Sequence, residues 1–575
     1  MLQAMQKASN KHLYPLRQWL VLGSLLAMFG LLAIRSGYLQ LSANDYLQAQ
    51  GDARYSRVER VSATRGMIVD RHGEPLAIST PVDSVWADPG QLIEGKAQWP
   101  QLAKLLDVSA KFLAEQWTKN ADREFMYLRR HATPELAARI MELQVPGVFA
   151  RREYRRFYPT GATTGHVLGF TDIDDQGQEG IEVAFNRMLA GEDGLKRVIK
   201  DRLGRIIEDV ENIKPVVDGQ DLMLSIDSRI QHLLYQHLRT AVRQHKARGA
   251  SAIVLDPHSG ELLAMVNEPG FNPNDRRQLS SSRFRNRAVT DVLEPGSTVK
   301  PFTIAMALEQ GSVKPATPID TAPGILRVGK HAVKDTHDYG TLTVSHVVMK
   351  SSNVGAAKIA LKSDARNLYE FFRGVGFGVS TSSGLPGEVA GTLADRGRWR
   401  GIEHATLAFG YGVATTPLQL ARAYGVLANG GRMVPVTMLK RRGVVRGRRV
   451  IPELTVQDVT SMLELAVSED GTGAAAQVPQ YRVAGKTGTV HKLTAEGYAP
   501  DRYTSIFAGY APATDPRLVM VVVIDDPRGE QHYGGAVAAP VFSRVMTGAL
   551  RLLNVPPDQV TSPIAVAATG SSSGL

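Results

Sequence analysis

The chain of 575 residues contains no cysteine, which removes disulfides, thiolate metal sites and a cysteine nucleophile at once. It holds no His-Glu-x-x-His string, the pattern of a helical zinc protease site. Acidic residues are missing from the N-terminal region until Asp45. Aromatic residues make up only 7% of the chain, and no basic cluster is interleaved with them, which argues against nucleic acid as a partner. There is one long uncharged apolar run and no second stretch apolar enough to span a membrane.

That run is Trp19 to Ile34, which at helical rise covers roughly 24 Å, a little short of a bilayer core. Extending it through Tyr38 and Leu39, with Arg35 snorkelling outward, brings it to about 31 Å. Lys7, Lys11 and Arg17 precede it without any acid, so the N-terminus is expected to be cytoplasmic and the rest of the chain to lie across the membrane. No small-x-small cleavage site follows the run, which favours an uncleaved anchor over a signal peptide. The net charge of +11 suits contact with an anionic polymer or lipid headgroups.

Three short strings carry chemistry: Ser297-Thr298-Val299-Lys300, Ser351-Ser352-Asn353 and Lys486-Thr487-Gly488-Thr489. A serine hydroxyl needs a base to become a nucleophile. The apolar residues Phe302, Ile304, Ala305 and Leu308 indicate a buried helix starting near Ser297, with Pro301 in its first turn. Positions i and i+3 share a helix face, so Lys300 is expected beside the Ser297 hydroxyl as its base. Ser351 supplies a hydroxyl that can relay a proton between Lys300 and a leaving amine. Asn353 supplies an amide for the substrate and the lysine. Lys486, Thr487 and Thr489 offer an ammonium and two hydroxyls to a carboxylate on a strand edging a cleft, with Gly488 allowing a ligand backbone to come close. Each string alone is commonplace, but the ordered set is specific.

The set resembles that of the penicillin-recognising serine acyltransferases, and the chain from about residue 20 to about 553 is similar to the class B penicillin-binding proteins, above all to their division-septum branch. Arg65-Gly66-Met67-Ile68-Val69-Asp70-Arg71 with Gly73, Gly177 to Glu182, and Asp201 with Gly204 resemble the signatures of the family's noncatalytic domain. Asn286-Arg287-Ala288, Asp291 and Glu294-Pro295-Gly296 resemble its lead-in to the nucleophile. Phe409-Gly410-Tyr411-Gly412 with Thr416 to Gln419, and Tyr533-Gly534-Gly535 with Ala539 to Phe542, resemble its later cleft segments. One departure is His491, where division members commonly have arginine or glutamine; it is expected to be a surface histidine after the strand.

The resemblance implies a peptidoglycan D,D-transpeptidase acting through a Ser297 acyl-enzyme on stem peptides ending in D-Ala-D-Ala, inhibited by beta-lactams and needing neither metal nor organic cofactor. It further implies an oxyanion hole from the backbone NH groups of Ser297 and Thr489, and substrate contacts from Tyr411 and Tyr533, with His532 in the same aromatic wall. The expected location is the bacterial inner membrane, single-pass, with a periplasmic catalytic domain. The expected partners are a separate glycosyltransferase and other division proteins. Competing readings are an elongation-type or conditional transpeptidase, a D,D-carboxypeptidase or beta-lactamase, and a non-enzymatic scaffold or sensor. The absence of a Glu-x-Glu-Leu-Asn string removes the deacylating glutamate of one beta-lactamase class.

By chain order the expected organisation is a cytoplasmic tail (1–18), an anchor (19–39), a pedestal domain (45–217), a transpeptidase domain (218–555) and a disordered tail (556–575). Ser251 to Asp256 and Glu261 to Val266 form a hairpin pattern, and Leu518 to Ile524 supplies another strand. Strands flanking a helical middle indicate an α+β fold, an antiparallel sheet covered by helices.

Overall fold

A computed structural model describes residues 15–41, 56–200, 206–395, 397–494 and 497–559. Asp201 and Gly204, most of the expected cytoplasmic tail and residues 560–575 of the expected disordered tail lie outside these residues. The N-terminal helix, Pro15–Leu41, contains a 25-residue apolar stretch, Leu16–Gln40. At about 1.5 Å per residue it is long enough to cross a bilayer core. Its large side chains, Trp19, Leu26, Phe29 and Leu31 among them, are exposed, as a lipid-facing helix requires. It is the one such helix among the described residues.

The rest divides into two compact units. The first comprises the described residues within 1–63, 82–153 and 192–217. It holds an antiparallel sheet ordered Ser56–Val61, Gly194–Lys200, Ile206–Lys214. It also holds a small core in which Val85, Leu92, Trp99, Leu102 and Ile140 pack together.

The second unit comprises residues 64–81, 154–191 and 218–559 as described, and carries every candidate site residue. Its centre is a five-stranded antiparallel sheet built from β1 (Gly249–Leu255), β2 (Leu262–Glu268), β3 (Ala484–Thr494), β4 (Gly497–Ala511) and β5 (Leu518–Asp525), in the order β2-β1-β5-β4-β3. Every residue of β1 and β2 is buried, because helices cover both faces. Side chains alternate between faces along a strand. Ala252, Val254, Val522 and Ile524 therefore pack against α1 (Ser228–Gln244) and the final helix. Ile253, Val519, Val521 and Ile506 meet the helical middle through Phe302, Leu420, Tyr424 and Leu463. Two apolar faces explain why Leu518 to Ile524 is an unbroken apolar run, with no polar alternation. β3 is the sheet edge facing the helical layer, the position expected for a strand bordering a cleft.

Two signatures assigned by resemblance to a noncatalytic domain build the base of this second unit. Glu182 accepts from Arg65 Nε and Arg156 Nε, each at 2.7 Å, and all three side chains are at most 1% exposed. Asp70 accepts from the Ser228 hydroxyl at 2.6 Å and so helps to fix the start of α1.

Candidate active site

Ser297 lies in a 3₁₀ turn, Gly296–Val299, which runs directly into α2 (Lys300–Glu309) with Pro301 in its first turn. The turn is held from several sides. Thr298 donates to the Pro295 carbonyl at 2.7 Å, and the buried Tyr424 hydroxyl donates to the Thr298 carbonyl at 2.9 Å. Gly410, at φ +90°, passes so close that a Cβ there would stand 2.2 Å from the Gly296 carbonyl oxygen. A Cβ on Gly488 would meet Thr298 and the Pro295 carbonyl at 3.0 and 3.1 Å. The approach that Gly488 permits is therefore that of the nucleophile turn, whereas the sequence suggested a ligand backbone.

Lys300 is wholly buried, and its Nζ is aimed at the second string. It donates to Asn353 Oδ1 at 2.8 Å, to Ser351 Oγ at 3.3 Å and to the Ser351 carbonyl. No hydrogen bond joins it to the Ser297 hydroxyl among the described residues, so the expected side-by-side pair is not hydrogen-bonded here. Burial holds the Lys300 amine well below the ordinary lysine range, with the Lys486 charge adding to the effect and Asp335 opposing it. A buried ammonium without a full counter-charge is costly, which favours the neutral amine.

Ser351 ends α3 (Val344–Lys350) in the left-handed region, at φ 62°, and Ser352 caps α4 (Asn353–Ala360) by accepting from Gly355 N at 2.8 Å. A non-glycine residue at positive φ is uncommon and persists where its surroundings demand it. Here the sharp junction of two helices brings both Ser351 and Asn353 onto Lys300. Asn353 Nδ2 donates to the Lys334 carbonyl at 3.0 Å, so its Oδ1 is the atom left for the lysine. Asp335 accepts from the Ser352 hydroxyl and from the Asn353 and Val354 backbone NH groups. Asp335 belongs to no string that sequence reasoning singled out.

On β3, Lys486 is also wholly buried, and burial pushes its amine down to about 7. Its Nζ reaches the hydroxyls of Thr487 and Thr472, each at 3.3 Å, and Thr487 donates to Thr472 at 2.9 Å. Thr472 was also missed; its only signal is its place within Gly471-Thr472-Gly473. The Thr489 hydroxyl accepts from Gly534 N at 3.0 Å.

The aromatic residues form two separate groups. Tyr411 packs edge-on against Tyr498 with centroids 5.6 Å apart, and Tyr498 donates to Glu294 at 2.9 Å. Burial, then the Glu294 charge, raises the Tyr411 phenol. Tyr533, 57% exposed, stacks on His532, which stacks on Tyr503, which in turn meets His491. His491 is half-buried, with Nδ1 at 3.0 Å from the Ala499 carbonyl, and is thus part of a ring stack where the sequence suggested a surface histidine. Among the described residues no group of three or more His, Cys, Asp or Glu side chains is arranged to hold a metal ion.

The sequence profile of the penicillin-binding protein transpeptidase domain matches residues 250–547, and that of the penicillin-binding protein dimerisation domain matches residues 60–224. The chain is 41% identical over 548 residues to the peptidoglycan D,D-transpeptidase FtsI of Escherichia coli K12, covering 94% of this chain and 93% of that protein. It is 39% identical over 557 residues to the probable peptidoglycan D,D-transpeptidase PenA of Neisseria meningitidis, covering 96% and 95%. Among solved structures, the transpeptidase domain of Burkholderia pseudomallei penicillin-binding protein 3 matches with TM-score 0.55 and 41% identity, over 59% of this chain and 98% of that one. A peptidoglycan synthetase from Bifidobacterium adolescentis matches more of the chain, 88%, with TM-score 0.70 and 25% identity.

Proposed function

Since the chain belongs to the class B penicillin-binding proteins, we propose that it is a peptidoglycan D,D-transpeptidase of septal cell-wall synthesis, anchored in the inner membrane, with its catalytic unit in the periplasm. The observation that carries the mechanism is the buried Lys300 amine, hydrogen-bonded to Ser351 and Asn353 and facing a second buried lysine.

In this reading neutral Lys300 takes the Ser297 proton as the hydroxyl attacks the carbonyl between the two terminal D-alanines. The Ser297–carbonyl bond forms, the peptide C–N bond breaks, and the proton reaches the leaving D-alanine amine through Ser351. Developing negative charge on the carbonyl oxygen is met by the backbone NH groups of Ser297 and Thr489, groups that need no reorganisation during the reaction. Lys486, Thr487 and Thr489 hold the terminal carboxylate, and Tyr411 and Tyr533 flank the substrate. An acceptor amine then attacks the ester while Lys300 and Ser351 remove its proton; the new C–N bond forms, the Ser297–acyl bond breaks, and Lys300 returns the proton to the Ser297 oxygen. Beta-lactams acylate Ser297 by the same first step. The arrangement in chain order, 45–217 as a noncatalytic module and 218–555 as the catalytic one, belongs to the same proposal, as do a separate glycosyltransferase and division-protein partners.

The test is fluorescent-penicillin labelling with mapping of the adduct, followed by transfer from a thioester donor to D-amino acids. Ser297→Ala is expected to remain folded and to lose all labelling. An adduct on a peptide lacking Ser297, or rapid multiple turnover of benzylpenicillin, would move the assignment elsewhere.

A further inference from the structure

The net charge of +11 is gathered unevenly along the chain. No acidic residue occurs between Glu403 and Glu453, and six of the ten residues 440–449 are lysine or arginine. The helix Pro417–Ala428 starts beside the lead-in to Ser297, where Thr415 bridges to Leu293, and its 12 residues carry the chain about 18 Å away from there. Beyond it, Arg432–Met433 pairs antiparallel with Arg448–Arg449, which sets Arg432 directly opposite Arg449. Like charges opposite one another destabilise a hairpin, and nothing in the packing of this one requires them, since Arg432, Arg448 and Arg449 are all exposed.

Of the seven cations in this hairpin and its loop, one has a carboxylate partner: Arg449 meets Glu453 at 3.4 Å. The side chains of Arg432, Lys440, Arg441 and Arg448 donate to the backbone carbonyls of Gly447, Arg71, Ser259 and Gly374, contacts that leave their charge uncompensated. Arg442 and Arg446 are exposed and have no hydrogen bond or ion pair among the described residues. The other carboxylates bordering the segment are engaged: Glu261 by Arg71 and the Arg441 NH, Glu370 by Arg366, and Asp256 by the backbone NH groups of His258 and Ser259. At the tip of the loop, Val444 is 97% exposed, so nothing in this chain covers it.

We propose that this hairpin is a holding surface for the wall polymer outside the active site, on which Arg442, Arg446 and Arg448 bind carboxylates of successive stem peptides along a peptidoglycan strand. The inference rests on the transpeptidase reading, in which every unreacted stem ends in a carboxylate and the strand is a polyanion of repeated charges. Guanidinium groups match carboxylates fork to fork. A single such contact on an open loop is weak and screened by salt, but each one formed raises the local concentration of the next. A folded acidic protein fits the surface less well, because Val444 is the one bare large apolar side chain in residues 440–449 and a specific protein interface needs a dehydrated core. Set apart from the nucleophile by the length of a helix, the surface keeps substrate strands near the enzyme without entering the acyl-transfer chemistry.

The experiment sediments the full-length protein, its active site first blocked with benzylpenicillin, with purified sacculi or with sacculi whose carboxylates have been converted to methylamides. At low salt the native sacculi are expected to retain the protein at least about tenfold more strongly, and about 1 M salt, where screening acts within about 3 Å, should remove the difference. Arg442→Gln, Arg446→Gln and Arg448→Gln together should lower retention by native sacculi about tenfold while penicillin labelling stays normal. Lys111→Gln, Lys119→Gln and Arg123→Gln together remove the same charge from exposed positions elsewhere and should leave retention near that of the wild type. Equal retention by the two kinds of sacculi, undiminished retention of the hairpin variant, or an equal loss in both triple variants would overturn the holding surface. Failure of penicillin to label Ser297 would instead overturn the transpeptidase reading on which it rests.

Discussion

Lys300 and Lys486 are both fully buried, and the Lys486 charge makes Lys300 harder to protonate. For Lys300 the causes can be separated: burial and Lys486 lower its pKa, and Asp335 raises it. Acylation requires the neutral amine, so its rate should rise with pH through the Lys300 pKa. Asp335→Asn keeps the shape but removes the raising charge, so the acid limb of the rate profile should move to lower pH. Lys486→Met removes a lowering charge, so at saturating penicillin the limb should move to higher pH. Acylation rates followed across pH check both signs. A shift in the same direction for the two variants would mean that Lys300 is not the titrating base.

Elements matter here through junctions. The 3₁₀ turn bearing Ser297 and the helix junction bearing Ser351 are brief; backbone approaches that tolerate no extra atom hold the first, and hydrogen bonds to the side chains of Asp335 and Ser352 hold the second. Gly410→Ala is a sharp test, because its Cβ would fall 2.2 Å from the Gly296 carbonyl oxygen at a φ that side chains rarely adopt. The expected result is a loss of at least about tenfold in acylation rate, since a displacement of an ångström at the reacting group has that scale of effect. Circular dichroism should show the helical content retained. The hairpin ending at Lys334 and Asp335 plays a comparable role for the second string, orienting the Asn353 amide and tying down the start of α4. The Asn353 side chain is addressed by this hairpin as much as by its own helix.

At the scale of the whole molecule, the buried Arg65–Glu182–Arg156 cluster joins segments far apart in the chain. Glu182→Ala would leave two guanidinium groups buried without their shared carboxylate, a change costing roughly 3–5 kcal/mol. Thermal unfolding of the protein should shift down by several degrees, while labelling of the fraction still folded should persist. The basic N-terminal segment and the exposed apolar helix Pro15–Leu41 lead to a topological expectation as well. A reporter active only in the periplasm, fused after Leu553, should be active, and an inactive but stably expressed fusion would reverse the orientation.

Much of this was legible in the residues themselves. The anchor is readable because a lipid-facing helix must be apolar over its whole length. The strands of the hairpin and Leu518 to Ile524 are readable because burial on both faces leaves them almost wholly apolar, with only Ser251, Asn267 and Glu268 polar in the hairpin strands. The three strings are readable because each sets a few polar residue types at fixed spacing, and the structure brings Lys300, Ser351 and Asn353 of the first two into contact. The tertiary structure alone decided the rest. Lys300 turned out to face Ser351 and Asn353, with no bond to its helical neighbour Ser297, because burial leaves a polar lysine tip to seek acceptors wherever packing brings them. Asp335, Thr472 and the ring stack of His491, Tyr503, His532 and Tyr533 come from segments with no shared spacing. Gly488 accommodates a turn almost two hundred residues away along the chain. Local sequence encodes what a residue's own helix or strand requires, whereas contacts between distant segments depend on how the sheet and its helices close on one another.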